Sequence, residues 1–344
     1  MGNKLDIKDK VILVTGASGF LGTHVWNELI KNGCITEEKT DCANLFSAPR
    51  SCEKDLTKYS DAREIYALLK PDIVIHLAAV VGGIGANKEN PGKYFYENMQ
   101  MALNMIELAR LNQTEKFVGI GTICAYPKHT PVPFKESELW NGYPEETNAP
   151  YGLAKKMMLV MSQAYRQQYG CNMIYLLPVN LYGPGDNFNL NSSHVIPAII
   201  RKCIDAVDSG DKSITCWGTG SATREFLYAP DAAEAIVQAT IHYDDQEPVN
   251  VGSGMEITIK DLTNLIINLC DYKGKIKWDK SKPDGQPRRC LNTKKAKKEF
   301  GWSAKTKFED GLEKTIAWYK ENKSSIIANE QEEFEDEKTE SDNK

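Results

Sequence analysis

The sequence predicts an α/β fold in which a doubly wound parallel sheet, Rossmann-like, is covered by helices on both faces. Two observations carry this prediction. Short, nearly continuous apolar segments alternate with segments of helical periodicity, and a glycine-spaced turn follows the first apolar segment. Strands buried on both faces are apolar at successive positions, because neither face meets water. A chain of 344 residues is long enough to add a second lobe to such a sheet.

The elements of the first half follow in order along the chain. We predict strands at 11–14, 44–48, 72–79, 116–120 and 173–177. We predict helices between and after them at 21–32, 61–70, 91–112 and 151–169. A later segment, 249–253, is expected to rejoin the sheet as a strand. Ligands of parallel sheets bind beyond the carboxyl ends of the strands, so functional residues are expected at that edge.

The turn after the first strand has the sequence Thr15-Gly16-Ala17-Ser18-Gly19-Phe20-Leu21-Gly22. Gly16 permits a tight bend, Gly19 lets the backbone approach a pyrophosphate, and Gly22 allows close packing of helix and strand. The helix that follows offers unpaired N–H groups to phosphates. A purely structural turn is the alternative, but the position directly after the first strand favours a dinucleotide site.

The cofactor is predicted to be NADP(H). Arg50 lies just past the second strand, where its guanidinium could face a 2′-phosphate. No acidic residue clearly occupies the place that binds the ribose of NAD. Asp41 leaves NAD open if the second strand is shifted.

A tyrosine and a lysine four residues apart, Tyr151 and Lys155, begin a predicted helix that Asn148 is expected to cap. The two side chains share one face of that helix. A phenol normally titrates near pH 10. We expect Lys155 and the positive ring of an oxidised nicotinamide to lower the pKa of Tyr151, so that it exchanges protons near neutrality. Two ordinary surface residues are the alternative, but with the glycine turn the pair predicts a nicotinamide-dependent enzyme acting on a hydroxyl or ketone.

Composition divides the chain into three units. They are a dinucleotide-binding domain at 8–182 that is rejoined by a strand near 248–253, a substrate-binding lobe at 183–247 and 254–322, and an acidic, disordered tail at 323–344. In the lobe, Trp217 and Arg224 lie in loop-like sequence rich in glycine and proline. Residues 330–344 hold eight acids and two lysines, a charge of −6, so the net charge of −5 leaves the body at +1. A nearly neutral body predicts no nucleic-acid partner, and a tail with so little to bury is typical of disorder, with a partner-binding tail as the alternative.

The cysteines and the hydropathy pattern indicate a cytoplasmic protein. Nine cysteines occur without any Cys-x-x-Cys pair or histidine cluster, which predicts reduced thiols and no metal site. No apolar run approaches the roughly 20 residues that span a bilayer, so no membrane partner is expected. The N-terminus is too polar for a secretory signal.

A longer set of motifs carries a resemblance to a known family. It comprises Val81-Gly-Gly-Ile84 with Ala86-Asn87, Gly121-Thr-Ile-Cys-Ala-Tyr-Pro-Lys128, Glu136-Ser-Glu138, Pro178-Val-Asn-Leu-Tyr-Gly-Pro184, Asp186-Asn-Phe188, Ser193-His-Val-Ile-Pro-Ala198, Trp217-Gly218, Arg224-Glu-Phe-Leu227 and Ser281-Lys-Pro-Asp-Gly285. The chain resembles the extended short-chain dehydrogenase/reductases over residues 10–320, and within them the enzymes that epimerise and reduce nucleotide-linked 4-keto-6-deoxyhexoses. The resemblance implies NADPH as reductant, a homodimer and conversion of GDP-4-keto-6-deoxy-D-mannose to GDP-L-fucose.

The resemblance also implies a role for each matching residue. Cys124 would be the base and His194 the acid that epimerise the sugar, Tyr151 would protonate O4, and Thr122, where serine is usual, would position O4. The implied substrate contacts are Lys202, Trp217, Arg224 and Asp284. The implied cofactor contacts are Gly16, Ala17, Ser18, Gly19, Phe20, Leu21, Gly22, Arg50, Asp55, Leu56, Ala78, Ala79, Lys155, Pro178, Val179, Asn180, Leu181 and His194.

Several alternatives stay open at this point. Cys124 could be a small buried hydrophobe and His194 a core histidine. The apolar run Met157–Met161 could pack against a partner subunit or within one chain. The same fold could serve a nucleotide-sugar 4-epimerase or dehydratase, although no Asp-Glu pair follows Thr122 as dehydratases require, or a scaffold that binds NADP without turnover.

Overall fold

Six parallel strands form the central sheet of the computed structural model, which describes residues 4–36, 43–282 and 284–342. The strands are β1 (Ile12–Thr15), β2 (Leu45–Ser47), β3 (Ile73–His76), β4 (Lys116–Ile120), β5 (Met173–Pro178) and β9 (Val249–Val251). Their order is β2-β1-β3-β4-β5-β9, so the predicted doubly wound α/β fold is confirmed. The order reverses between β1 and β3, and a crevice forms at such a reversal.

Helices cover both faces of this sheet because each presents an apolar stripe to the buried strands. Those of the first half are α1 (Phe20–Lys31), α2 (Tyr59–Leu69), α3 (Ile84–Glu89), α4 (Pro91–Leu111) and α5 (Ala149–Tyr169). Helix α4 packs between α2 and α5 on one face. On the other face α1 packs against α7 (Ala229–His242), which in turn contacts α9 (Lys294–Phe300).

A second hydrophobic core lies between the remaining elements. These are a three-stranded sheet of β6 (Asn180–Tyr182), β8 (Thr223–Tyr228) and β10 (Glu256–Thr258), a parallel pair of β7 (Ser213–Trp217) and β11 (Lys275–Asp279), and helices α6 (Val195–Ser209), α8 (Ile259–Leu269) and α10 (Phe308–Asp342). The prediction that Trp217 and Arg224 lie in loops is wrong, since Trp217 ends β7 and Arg224 lies in β8. Residues of β7 alternate between buried and partly or fully exposed positions, so the strand lacks the continuous apolar pattern of the central sheet.

Helix α10 continues through the predicted tail to Asp342, so the structure differs from the predicted disorder at 323–330, where the helix contacts the lobe. Ile326 packs against the second core. Lys323 pairs with Asp205 and Asp208 of α6 at 2.6 Å, and Arg201 of α6 pairs with Glu330 at 2.7 Å. The ion pairs of Lys323 and Arg201, which are partly buried, together hold this end of α10 on the lobe, although a single surface ion pair contributes little.

Within these described ranges, every helix is too short or too polar to cross a membrane.

Candidate active site

A cavity of about 1360 Å³ runs from the carboxyl ends of the central strands to the second lobe. Every site residue predicted from the sequence except Ala17 lines this cavity. Ala17 is 8% exposed and packs into the main core instead. The turn that contains Ala17 points its side chain inward, toward the sheet.

The glycine turn has no room for side chains at its two outer glycines. Gly16 has a φ of +70°, and a Cβ atom there would lie 2.9 Å from the backbone nitrogen of Ala78. A Cβ atom on Gly22 would overlap the carbonyl oxygen of Gly16 and lie 2.7 Å from the Cα atom of Ala17. Gly19 is the N-cap of α1, whose first turn carries no acidic residue. The turn is therefore a backbone cradle at the positive end of a helix, which fits the pyrophosphate of a dinucleotide.

The cavity extends past β2 along the residues predicted to contact the adenosine part of the cofactor. Arg50 is exposed and lines the rim, as does Lys54. The Asp55 carboxylate accepts hydrogen bonds from the backbone nitrogen and hydroxyl of Thr57, at 2.9 and 2.7 Å, and so orders the turn before α2. Asp41, on which the NAD alternative depends, lies outside the described residues. Nζ of Lys54 pairs with Glu64, so Arg50 is the residue whose guanidinium suits a 2′-phosphate at this rim.

Helix α5 positions Tyr151 and Lys155, but not by the expected cap. Asn148 is the N-cap residue without a capping hydrogen bond. Its side-chain amide donates instead to Oε2 of Glu145 at 2.7 Å. A cap would use the amide oxygen of Asn148 on extended backbone, but Asn148 has a φ of −103° and a ψ of −7°, so the predicted capping bond does not form.

The two side chains are almost fully buried, and burial dominates their ionisation. Burial raises the pKa of Tyr151, a negative charge at Cys124 adds to the rise, and a hydrogen bond with Thr122 opposes it. Burial lowers the pKa of Lys155 to about 8. For the protein alone, desolvation of the phenolate sets the pKa of Tyr151, and the joint effect of Lys155 and an oxidised nicotinamide stays a prediction.

Thr122 and Cys124 follow β4 directly. The hydroxyl of Thr122 accepts a hydrogen bond from the backbone nitrogen of Cys124 at 3.2 Å. A Cβ atom on Gly152 would lie 2.9 Å from the carbonyl carbon of Cys124, so α5 packs closely against this turn. The packing brings the Cys124 thiol, which is half-buried, next to Tyr151.

His194 is the N-cap residue of α6 and faces the same cavity. Its side chain is accessible to solvent inside the cavity, yet the surrounding protein desolvates the ring and lowers its pKa. The lowered pKa favours the neutral imidazole, which can take up one proton and then deliver it as the imidazolium.

The second lobe contributes cationic and aromatic groups to the far end of the cavity. Nζ of Lys202 donates to the carbonyl oxygen of Thr215 at 2.9 Å. Trp217 is 51% exposed, and Nζ of Lys282 lies 5.0 Å from its ring centroid. An exposed indole beside lysines is a surface on which a nucleobase or sugar can lie.

Arg224 and Asp284 are both tied to neighbouring loops. The Arg224 guanidinium donates to the carbonyl oxygens of Gln286 and Asp284, at 2.6 and 3.0 Å, and burial lowers its pKa to about 10. The Asp284 carboxylate accepts from the backbone nitrogen and the hydroxyl of Thr219, both at 2.7 Å. These contacts fix the loop around residue 285 against the lobe.

The cavity also contains residues that sequence reasoning gave no role. Arg289 and Gln286 are buried in its wall. A Cβ atom on Gly83 would lie 2.8 Å from the carbonyl oxygen of Ser193, so no side chain fits at that position. Gly83 belongs to the motif Val81-Gly-Gly-Ile84, from which its place in the site could have been predicted. Arg289 belongs to no motif, because only the path of its loop brings it to the site.

The parallel sheet, the glycine cradle and the adjacent tyrosine and lysine define a nicotinamide-dependent class of nucleotide-sugar enzymes. The model of the NAD dependent epimerase/dehydratase family matches residues 12–252. A putative GDP-L-fucose synthase 2 of Arabidopsis thaliana is 40% identical over 315 residues, which is 92% of this chain and 93% of the relative. The GDP-L-fucose synthase of Sinorhizobium fredii is 39% identical over 313 residues, 91% and 96% of the two chains.

A solved structure agrees with these relatives. The GDP-L-fucose synthetase of Naegleria fowleri bound to NADP superposes with a TM-score of 0.82 at 26% identity, covering 94% of this chain and 98% of that one. The chain therefore belongs to the NAD dependent epimerase/dehydratase family and, within it, to the GDP-L-fucose synthases, which confirms the resemblance.

Proposed function

We propose that this chain is an NADPH-dependent epimerase and reductase that converts GDP-4-keto-6-deoxy-D-mannose to GDP-L-fucose. The observation that carries the proposal is that Cys124, His194 and Tyr151 line one cavity with the glycine cradle. The relatives named GDP-L-fucose synthase support the choice of substrate.

The residues at the sheet edge hold the cofactor, which supplies the hydride that reduces C4. The glycine cradle binds the pyrophosphate, and Arg50 pairs with the 2′-phosphate. Lys155 would hold the nicotinamide ribose, and the segment Pro178–Leu181, which lines the cavity, would contact the nicotinamide.

Epimerisation uses the acidity that the C4 ketone gives to the protons on C3 and C5. Cys124 takes the proton from one face of the sugar, and the electron pair of the C–H bond moves toward O4. His194 returns a proton to the opposite face, which inverts the carbon. The acid is the imidazolium of His194, which gives up its proton readily because burial lowers its pKa.

Reduction follows on the epimerised ketone. The Tyr151 hydroxyl donates its proton to O4, and its raised pKa keeps that proton in place until O4 carries negative charge. The Thr122 hydroxyl orients O4. Lys155, with its pKa near 8, supplies positive charge beside the phenol when protonated.

The second lobe binds the GDP part of the substrate. Lys202 and Arg224 carry positive charge toward the diphosphate, and Trp217 offers its exposed ring. Asp284 orders the loop that carries Thr219 and supports this end of the site.

The active form is a homodimer, and the reaction takes place in the cytoplasm. In the Met157–Met161 run, Met158 and Leu159 are buried within the chain, whereas Val160 is exposed. Leu103 and Tyr96 of the neighbouring helix α4 are exposed as well. An apolar face shared by two packed helices fits a second copy of the chain. The free cysteines among the described residues suit a reducing compartment.

The deciding experiment incubates the protein with NADPH and GDP-4-keto-6-deoxymannose in heavy water and identifies the product by mass and NMR. NADPH consumption with deuterium at both C3 and C5 supports the proposal. Reduction without deuterium at either carbon rejects the epimerase half.

The same experiment separates the alternatives. A dehydratase or 4-epimerase would retain NAD after purification and give no net NADPH consumption. It is disfavoured because Ile123 and Cys124, not an acidic pair, follow Thr122. A scaffold would bind NADP and convert nothing.

A further inference from the structure

The side chain of Arg289 reaches the thiol of Cys124. Its Nη1 atom lies 3.5 Å from Sγ, in the wall of the cavity. Arg289 is 7% exposed and Gln286 is 5% exposed. The Nε atom of Arg289 donates to Oε1 of Gln286 at 2.8 Å, and Nε2 of Gln286 donates to the carbonyl oxygen of Lys128 at 2.7 Å. A fixed chain of hydrogen bonds therefore aims a guanidinium at the thiol.

Among the described residues, the guanidinium of Arg289 forms no direct ion pair and interacts with the Glu145 carboxylate only at longer range. In the described part of the chain, no acidic side chain forms an ion pair with Arg289, whereas its neighbour Arg288 pairs with Glu256 at 2.6 Å. Glu145 is near enough to interact, but its oxygen atoms accept from Thr147 and Asn148. A buried cation without an anionic partner favours an anion beside it.

Besides Glu145, two other ionisable residues face the thiol or Arg289. Tyr151 approaches Cys124 from α5, and Arg224 approaches it from β8. Arg224 is already bound to the carbonyl oxygens of the 284–286 loop. Arg289 is thus the guanidinium with a direct contact to Sγ, while Arg224 adds a more distant positive charge and Tyr151 is neutral.

We propose that Arg289 is a positioning residue that stabilises the thiolate of Cys124 and so prepares it to accept the proton from the sugar. The inference rests on the proposed function for its role in epimerisation. The thiolate takes the proton from carbon, the electron pair of that bond moves toward O4, and the resulting thiol releases its proton to solvent before the second epimerisation. A neighbouring cation favours a thiolate in this way in other proteins.

The first test needs no substrate. The rate at which iodoacetamide alkylates Cys124 is followed against pH by peptide mass spectrometry in the intact protein. In Arg289→Gln we expect the rate at neutral pH to fall about tenfold, because the thiolate loses its cation. Arg289→Lys restores most of the rate by keeping the charge. Exposed Cys52 serves as the reference thiol, and its rate does not change.

A matched variant controls for loss of charge. Arg288→Gln removes one positive charge from the adjacent, exposed residue and leaves alkylation of Cys124 unchanged. Gln286→Leu covers the case in which Arg289→Gln does not fold, since it keeps the guanidinium but removes the hydrogen bond that orients it. It lowers the rate in the same direction by a smaller factor.

The second test measures deuterium exchange into C3 and C5 of GDP-4-keto-6-deoxymannose. Arg289→Gln lowers this exchange about tenfold, with KM little changed. Equal alkylation profiles for the wild type and Arg289→Gln overturn the inference, and so does a rise in KM alone, which would make Arg289 a substrate contact. If the profiles differ as expected but even the wild type exchanges no deuterium, the proposed function fails while the role of Arg289 toward the thiol stands.

Discussion

The hydroxyl of Tyr175 donates a 2.6 Å hydrogen bond to the backbone carbonyl oxygen of Lys155. Tyr175 lies in β5 and is 1% exposed. A Cβ atom on Gly121 would lie 2.6 Å from Cε1 of this ring, so the end of β4 fixes the ring in turn. The sheet thus holds α5 at the residue that we assign to the nicotinamide ribose.

Tyr175→Phe removes this bond and keeps the ring. We expect the free energy of unfolding to fall by about 1 kcal/mol, the usual net contribution of one hydrogen bond. The rate of NADPH oxidation should fall as well, because α5 loses a fixed point beside Lys155. Urea unfolding and steady-state kinetics measure both effects. Tyr143→Phe, at a 61% exposed position, is the control, and a Tyr175→Phe variant as stable as that control would contradict the prediction.

Tyr151→Phe separates the two half-reactions. Without the phenolic proton donor, reduction at C4 should slow by about 10²–10⁴-fold. Exchange of the C3 and C5 protons should continue, because Cys124 and His194 are unchanged. Parallel assays of NADPH consumption and deuterium incorporation check this. Equal losses of exchange and reduction would show that the phenol serves both steps.

Gly22→Ala tests the cradle. The added Cβ atom meets the backbone of Gly16 and Ala17, which cannot yield as a flexible side chain would. Overpacking of this kind costs about 1–3 kcal/mol of stability, and we expect NADPH affinity to fall at least tenfold. Gly92→Ala on α4, where nothing lies within 4 Å of the new atom, should leave both unchanged or raise stability slightly. Calorimetric titration and thermal unfolding supply the measurements; normal NADPH affinity in Gly22→Ala would refute the prediction.

Buried Lys116 predicts a pH dependence of stability. Burial lowers its pKa to about 8 from the ordinary value of 10.5, and its ammonium donates to the carbonyl oxygen of Tyr243. Between these two pH values the unfolded chain keeps a proton that the folded chain has released, so this contribution to stability rises with pH. The stability of the wild type relative to Lys116→Met should therefore increase by about 1–2 kcal/mol between roughly pH 7.5 and pH 9.5. Urea unfolding at both values is the measurement, and a difference independent of pH would contradict it.

The proposed dimer predicts the effect of charges on the exposed faces of α4 and α5. Leu103→Asp and Val160→Asp, both at 41% exposed positions, should give monomers, because a carboxylate cannot be buried without a partner. Leu68→Asp places the same charge on α2, at an 82% exposed position, and should leave the dimer intact. Light scattering after size exclusion gives the mass. A monomeric wild type would overturn the proposal.

The sequence predicts the central sheet well because its strands are buried on both faces. The bounds of β4 match the predicted 116–120, where an apolar run lies between polar residues. The motif residues also lie together, since strand ends and helix starts meet at one edge. Strand β7 is not predicted because its positions alternate in burial and so lack the continuous apolar run that marks the central strands. The end of α10 is not predicted because Glu330 is held by Arg201, a residue 129 positions away.

The site shows the same limit. Tyr151 and Cys124 belong to local motifs, whereas Arg289 reaches Sγ of Cys124 from 165 positions along the chain. No pattern of residue spacing reports a contact of that kind. The capping bond expected from Asn148 is absent because the backbone of this residue is near-helical, which residue type alone does not predict.

The pairing of β9 with β5 has a consequence for biosynthesis. The register joins Leu176 to Val249, so the part of the second lobe from β6 to β8 is translated between two neighbouring strands of one sheet. Until residue 251 leaves the ribosome, the nascent chain carries β5 with an open edge, and open edges invite pairing with other chains. A fragment that stops at residue 182 should therefore be prone to aggregation. Producing the first domain alone would require that the open edge of β5 be covered.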